Sequence, residues 1–387
     1  THKKMKRLLF SLFSAMLIFS FSFAEAQTSL PKNLRTGPFK AGHIQGVAFD
    51  KENQHLYLTY TTMLIKCDLQ GNILGSVTGL VGHLGDLTFN PEDGRVYGTL
   101  EYKDDVIGKG ILAREKSNKK FSNLFYIAIF DGKNINRQNI DAQEDNVVTT
   151  VHLQQVLDDY SATVETPAGS FKHRLGCSGV DGISFGPKFG KNNGKQFLTV
   201  AYGVYNDHKR TDNDYQVLHQ YDISKWHKYE RKLTQTEAQM HTQGPTAPDG
   251  IYYAYTGNTN FGVQNLEYDS ELKVWWMAVY KGSKPGMPNY SLFAIDGNAK
   301  PQAQPLKGVN YIDKGKVVAL QQHIPHQADP KTGISGWHFG YGSTGFYPAG
   351  GGHYFISHNY ASKEGQGCNL RLYRFIGNAD NPFILVE

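Results

Sequence analysis

Gly42-His43-Ile44-Gln45-Gly46-Val47-Ala48-Phe49 is followed by a polar turn, an aromatic run from Leu56 to Tyr60, and a third short run, Ile65-Lys66-Cys67-Asp68. The succession returns as His83-Leu84-Gly85-Asp86-Leu87-Thr88-Phe89, then Val96 to Tyr102, then Ile127 to Asp131. A third copy reads Gly179-Val180-Asp181-Gly182-Ile183-Ser184-Phe185, Phe197 to Tyr202 and Leu218 to Asp222. A fourth reads Phe261-Gly262-Val263-Gln264-Asn265-Leu266-Glu267-Tyr268, Trp275 to Tyr280 and Leu292 to Asp296. The fifth has Gly342-Ser343-Thr344-Gly345-Phe346-Tyr347, Tyr354 to Tyr360 and Leu370 to Phe375. Aromatic and β-branched runs bounded by Gly, Pro, Asn and Asp read as strands.

One further apolar run follows each copy: Ile73 to Val77, Val147 to Leu153, Lys228 to Leu233, Val317 to Gln321 and Phe383 to Val386. Four antiparallel strands per repeat predict an all-β fold, a β-propeller. A β-sandwich has no need of one three-strand signature five times over. The first-strand anchors Val47, Leu87, Ile183, Leu266 and Gly345 are unevenly spaced, the first step being far shorter than the others. Five blades with long loops account for this. Six or seven follow if degenerate blades hide in Asp141 to Arg174 and Thr234 to Asn258. The repeats resemble those of propellers of the NHL or lactonase-like kind; the resemblance implies the fold and no particular activity.

The formal charge of +5, from 40 Lys+Arg against 35 Asp+Glu, has to be located before it is interpreted. Lys3, Lys4, Lys6 and Arg7 face only Glu25 in residues 1–26, so the rest of the chain carries +2. That segment has a basic start, an apolar stretch from Leu8 to Phe23 and a small-x-small site, Ala24-Glu25-Ala26. These are the parts of a secretory signal, with Met5 as its start. The expectation is an exported protein, periplasmic or extracellular, whose residues 27–387 form one propeller domain. No membrane contact is expected after cleavage. With 41 Gly, 13% aromatic and 19% charged residues, disorder and a helical bundle are disfavoured. No basic cluster accompanies the aromatics, which argues against nucleic acid. Three cysteines permit one disulfide or none. Ring closure makes the first and last repeats neighbours, so Cys67 and Cys368 are the pair to consider. A monomer is expected.

Strand alternation places the long second-to-third connections and the inter-blade segments on one face, a natural place for function. Two sets of residues converge there. Around the axis stand His43, Gln45, His83, Asp86, Asp181, Gln264, Asn265, Ser343 and Thr344. At the ends of the second strands stand Tyr60, Tyr102, Tyr202, Tyr280 and Tyr360, with Glu101 and His358 beside them. A concave site with polar groups among aromatics suits a small polar molecule, and a carbohydrate best.

His43 and His83 occupy matching positions and read either as acid/base groups or as backbone partners at the channel rim. The tyrosines read either as stacking and proton-donating groups, Tyr202 and Tyr280 foremost, or as locks between blades. Trp337 and His338, ahead of Gly340-Tyr341-Gly342, lie outside the repeat and join the candidate binding residues. No H-x-x-x-H, C-x-x-C, phosphate-loop or G-x-S-x-G spacing points to a metal or nucleotide, and no cofactor is assigned. Two function classes stay open: a glycan lyase or hydrolase using His43 or His83 with Tyr202 or Tyr280, and a non-catalytic binding or scaffold propeller.

Overall fold

Ile44–Asp50 is buried at every position, as a strand must be when packed sheets flank it on both sides. The computed structural model describes residues 29–191, 194–257 and 260–387; the expected signal at 1–26 lies outside them. In it the first strands of the five repeats form a closed ring. Ile44–Asp50 touches His83–Asn90, which touches Cys177–Pro187, then Asn260–Asp269, then Phe346–Gly350, which returns to Ile44–Asp50. The protein is a five-bladed β-propeller.

Blade 1 is Ile44–Asp50, His55–Tyr60, Met63–Cys67 and Ile73–Thr78, antiparallel throughout, with Ile140–Asp141 added in parallel outside. Blade 2 is His83–Asn90, Arg95–Tyr102, Leu124–Phe130 and Val148–His152, edged by Arg231–Lys232. Blade 3 is Cys177–Pro187, Gln196–Val204, Tyr215–Tyr221 and Gly250–Tyr255, extended by Gly315–Val317 and Gln302–Gln304. Blade 4 has the strands Asn260–Asp269, Val274–Tyr280 and Leu292–Asp296, completed by single bridges from Leu292 to Trp337 and Ile295 to Leu320. Blade 5 is Phe346–Gly350, His353–Ser362 and Gly365–Phe375. Its outer place is taken by Asn33–Phe39 from the other end of the chain, with Phe383–Leu385 on the remaining part of the same strand. The ring is therefore shut by hydrogen bonds between chain ends, which leaves fewer exposed edges.

Three expected outer strands are corrected by this arrangement. Lys228 to Leu233 does not close blade 3: Arg231–Lys232 is exposed and edges blade 2. Val317 to Gln321 is split between blade 3 and a bridge to blade 4. Phe383 to Val386 shares its role with Asn33–Phe39. The spacing anomaly has no hidden blade behind it. Asp141 to Arg174 holds the helix Gln154–Ser161 and the hairpin of Thr163–Thr166 with Gly169–Lys172, and Gly250–Tyr255 belongs to blade 3.

The core lies in the seams, each cluster drawn from two neighbouring blades. Adjacent tryptophans show why: Trp275 packs in the seam of blades 3 and 4, Trp276 in that of blades 4 and 5, because successive strand residues face opposite ways. First strands run from the face that opens at His43 and His83, called upper here, to the lower face, where the first-to-second turns lie. Not all the elaboration is on the upper face, contrary to expectation. Residues 131–147 and 222–249 leave third strands, so they start on the lower face.

Candidate functional site

At mid-height of the channel the five blades contribute Gly46, Asp86, Gly182, Asn265 and Gly345, the residues preceding matching apolar positions. Asp86 is fully buried. Its Oδ1 accepts the Leu87 N–H at 2.9 Å, and its Oδ2 accepts the N–H groups of Ile183 and Leu266, both at 3.1 Å. Asn265 donates to the Gln45 carbonyl at 2.8 Å and accepts the Phe346 N–H at 3.0 Å. These two side chains tie the first strands of all five blades to one another across the axis. Glycine at 46 makes room for them, since a Cβ there would strike Asp86 Oδ1. Both were expected at a ligand site; both spend their polar groups on the clasp.

Above the clasp lies a polar cluster built from blades 1 to 4. His83 begins the blade 2 inner strand, and its register partner is Glu101. His83 Nδ1 is 3.8 Å from Glu101 Oε1 and 3.8 Å from Asp181 Oδ1, too far for direct hydrogen bonds. That nitrogen is buried and has no hydrogen-bond partner. Glu101 accepts the Val180 N–H at 3.1 Å and pairs with Lys103 Nζ at 2.5 Å. Lys103 also donates to the Ser178 carbonyl at 2.8 Å. Asp181 Oδ2 accepts from the Gln264 amide at 3.1 Å, and the same amide nitrogen reaches the Phe261 carbonyl at 3.0 Å. On the blade 1 side, His43 Nδ1 meets its neighbour's carbonyl at 2.7 Å, while Gln45 donates to Thr61 at 3.0 Å. The helix Val106–Arg114, capped at its start by Asp105, brings Arg114 toward both histidines.

Burial dominates the electrostatics here. It pushes the His83 imidazole down to about 3, with Lys103 and His43 adding to the effect, so the ring is neutral at ordinary pH. His43 is lowered by burial as well. The Asp181 carboxyl is raised by burial to about 6, against the pull of Lys103. Burial likewise raises Glu101 to about 7, although Lys103 opposes this. Of the two carboxyls, Asp181 keeps the freer oxygen.

Tyr280 belongs to the same neighbourhood: its hydroxyl is raised to about 12 by burial and by the Asp181 charge. Its ring meets Phe261 edge-on at 6.2 Å between centroids. Phe261 is 40% exposed and holds a positive φ of 60°, unusual for a bulky residue. The other ring tyrosines turn away from the axis. Tyr60 meets Thr36, Tyr102 donates to Gln235, Tyr202 to Asp159 at 2.6 Å and Tyr360 to the Thr36 carbonyl. Trp337 is fully buried against Trp276 and donates to the Pro325 carbonyl. His338 packs on Tyr290. His358 stacks on Tyr341 at 3.9 Å and bonds Tyr373. Lys103 and Phe261 are the members of the cluster that the sequence did not single out as site residues. Lys103 lies two residues after Glu101, on the same side of the chain as it leaves the strand. Among the described residues, no group of three or more His, Cys, Asp or Glu is placed to hold a metal ion.

No protein-family model matches the chain, and no curated protein matches it. Solved structures similar to it include the soluble aldose sugar dehydrogenase of Escherichia coli, at 11% identity and a TM-score of 0.35, covering 86% of this chain and 96% of that one. A GH43 β-1,3-galactosidase with galactodeoxynojirimycin has 11% identity and a TM-score of 0.41, covering 89% and 95%. A gluconolactonase of Xanthomonas campestris has 10% identity and a TM-score of 0.31, covering 86% of each. None of these transfers an activity to this chain.

Proposed function

We propose that the upper end of the channel binds a small polar molecule, a carbohydrate by the chemistry of its lining, and acts on it as a glycan hydrolase or lyase in an exported protein. The reading rests on one observation: a buried, unpartnered His83 nitrogen aimed between two carboxyls, each 3.8 Å away. A ligand hydroxyl or a water placed there would pair with the His83 nitrogen and the open Asp181 oxygen beside the already engaged Glu101, and leaving the buried nitrogen unsatisfied is costly. Phe261 and Tyr280 offer an aromatic edge to the apolar face of a sugar ring. The amides of Gln45 and Gln264 are suited to its hydroxyls.

Asp181 is the group best suited to exchange a proton, because a carboxyl titrating near 6 is available as acid and as base close to neutrality. Neutral His83 hydrogen-bonds the same ligand atom without adding charge. Tyr280 stands beside Asp181 as a second donor, while Tyr202 serves the wall through Asp159. If Asp181 acts as the acid, turnover falls as pH rises above about 6. The non-catalytic reading draws on Glu101, whose two oxygens are already held by Val180 and Lys103 as in a rigid recognition site.

A glycan-array and product-release screen on the chain lacking residues 1–26 tests the proposal, with His43→Ala, His83→Ala and Asp181→Asn as variants. Asp181→Asn is expected to bind its glycan and release no product. Product formed equally by all variants sinks the catalytic assignment; binding without product from the wild type leaves the recognition reading.

A further inference from the structure

The lower end of the channel holds a cavity of about 500 Å³, a size typical of small-molecule sites. The position one residue below the matching apolar anchor is Ala48, Thr88, Ser184, Glu267 and Tyr347 in the five blades, and the last four of these line the cavity. Four of the five are uncharged; blade 4 alone supplies a carboxyl. Glu267 is 3% exposed and lines the cavity. Its Oε2 accepts the Ser184 hydroxyl at 3.2 Å, and its Oε1 is buried with no partner at all. Nothing in the clasp or the seams uses that oxygen.

The walls are aromatic by repetition. The next position along each first strand gives Phe49, Phe89, Phe185 and Tyr268, with Tyr347 from blade 5, and all five line the cavity. Acidic groups outnumber basic ones around it: Asp50, Glu52, Asp269 and Glu271 join Glu267, against Lys51 and His353. Several of these acids are engaged by their own turns. Asp50 takes Asn53, Asp269 takes the N–H groups of Glu271 and Leu272 along with the Tyr354 hydroxyl, and Glu271 takes those of Gly351 and Gly352. Glu267 is left as the inward-facing acid with an open oxygen.

We infer that this cavity is a second ligand site, for a small organic cation such as a quaternary ammonium or protonated amine, with Glu267 as its counter-charge. Aromatic side chains attract a desolvated cation; burial and the Asp86 charge hold the Glu267 carboxyl well above its ordinary range, and a cation beside it draws it to the charged form that balances the pair. An anionic ligand would meet a net acidic rim, and a neutral one would gain nothing from the excess of acidic groups. The site is separate from the upper cluster, and neither reading depends on the other.

Isothermal titration of the wild type with choline and with its neutral isostere 3,3-dimethyl-1-butanol tests this. Choline is expected to bind saturably and at least about tenfold more tightly. Glu267→Gln is expected to erase that preference. Equal binding of the two probes, no saturation by choline at millimolar concentration, or a preference that survives Glu267→Gln each overturns the proposal. Should the variant not fold, the wild-type comparison alone decides.

Discussion

His219 sits in the seam of blades 2 and 3, fully buried, with its Nε2 unpartnered and its ring edge-on to Tyr202 at 4.8 Å. Burial drives its imidazole from 6.5 down to about 3. The unfolded chain therefore takes up a proton on this residue below pH 6.5 that the folded chain refuses until about pH 3. Folded-state stability must fall with pH across that window, by about 1.4 kcal/mol per unit for one such group. Between pH 7 and pH 5 the loss is about 2 kcal/mol, a sizeable part of the 5–15 kcal/mol that typically holds a domain folded. Replacing His219 with Asn removes the titrating group at the cost of a small cavity. Urea denaturation of both proteins at pH 7 and pH 5 reads the effect. The variant is expected to be the less stable at pH 7 and to recover about 2 kcal/mol relative to wild type at pH 5. A stability difference that stays constant between the two pH values refutes the reasoning.

Gly179 has a φ of 128°, and a Cβ there would fall on Glu101 Oε2. Gly179→Ala is expected to expel Glu101 from the Val180 N–H and to destabilise the fold by about 3 kcal/mol in urea melts; an unchanged melt would show the contact to be slack. All three cysteines are buried as free thiols, with burial raising Cys67 and Cys368 to about 12. A thiol reagent should label none in the native protein and three in denaturant. Two thiols missing in denaturant would mean that Cys67 and Cys368 are bonded after all.

The first and second strands were legible because burial on both faces enforces dense apolar and aromatic runs, as in Ile44–Asp50 and Val274–Tyr280. Outer strands were not, because a short strand with one open edge needs no such pattern. Arg231–Lys232 is exposed at both positions, and the ring-closing Asn33–Phe39 alternates only weakly. At the site, position in the repeat was enough to expect His83, Asp181, Gln45 and Gln264 near one another at the upper end of the channel. It could not separate a side chain facing the axis from one facing a seam. Bulges in the first strands, between Leu84 and Leu87 and between Val180 and Ile183, shift that alternation. Tyr60, Tyr102 and Tyr202, at the ends of second strands, reach Thr36, Gln235 and Asp159. Glu267 passed unremarked because a single carboxyl in an otherwise uncharged ring shows only once the register of all five blades is known.

The proposed carbohydrate site is the upper cluster and not the lower cavity. The affinity of the glycan found by the screen, measured for wild type, His83→Gln and Glu267→Gln, tests this most directly. His83→Gln should weaken binding by about tenfold or more, the loss of roughly one well-placed hydrogen bond in a buried site, while Glu267→Gln leaves it unchanged. Binding that survives His83→Gln and is lost on Glu267→Gln would place the glycan in the lower cavity instead.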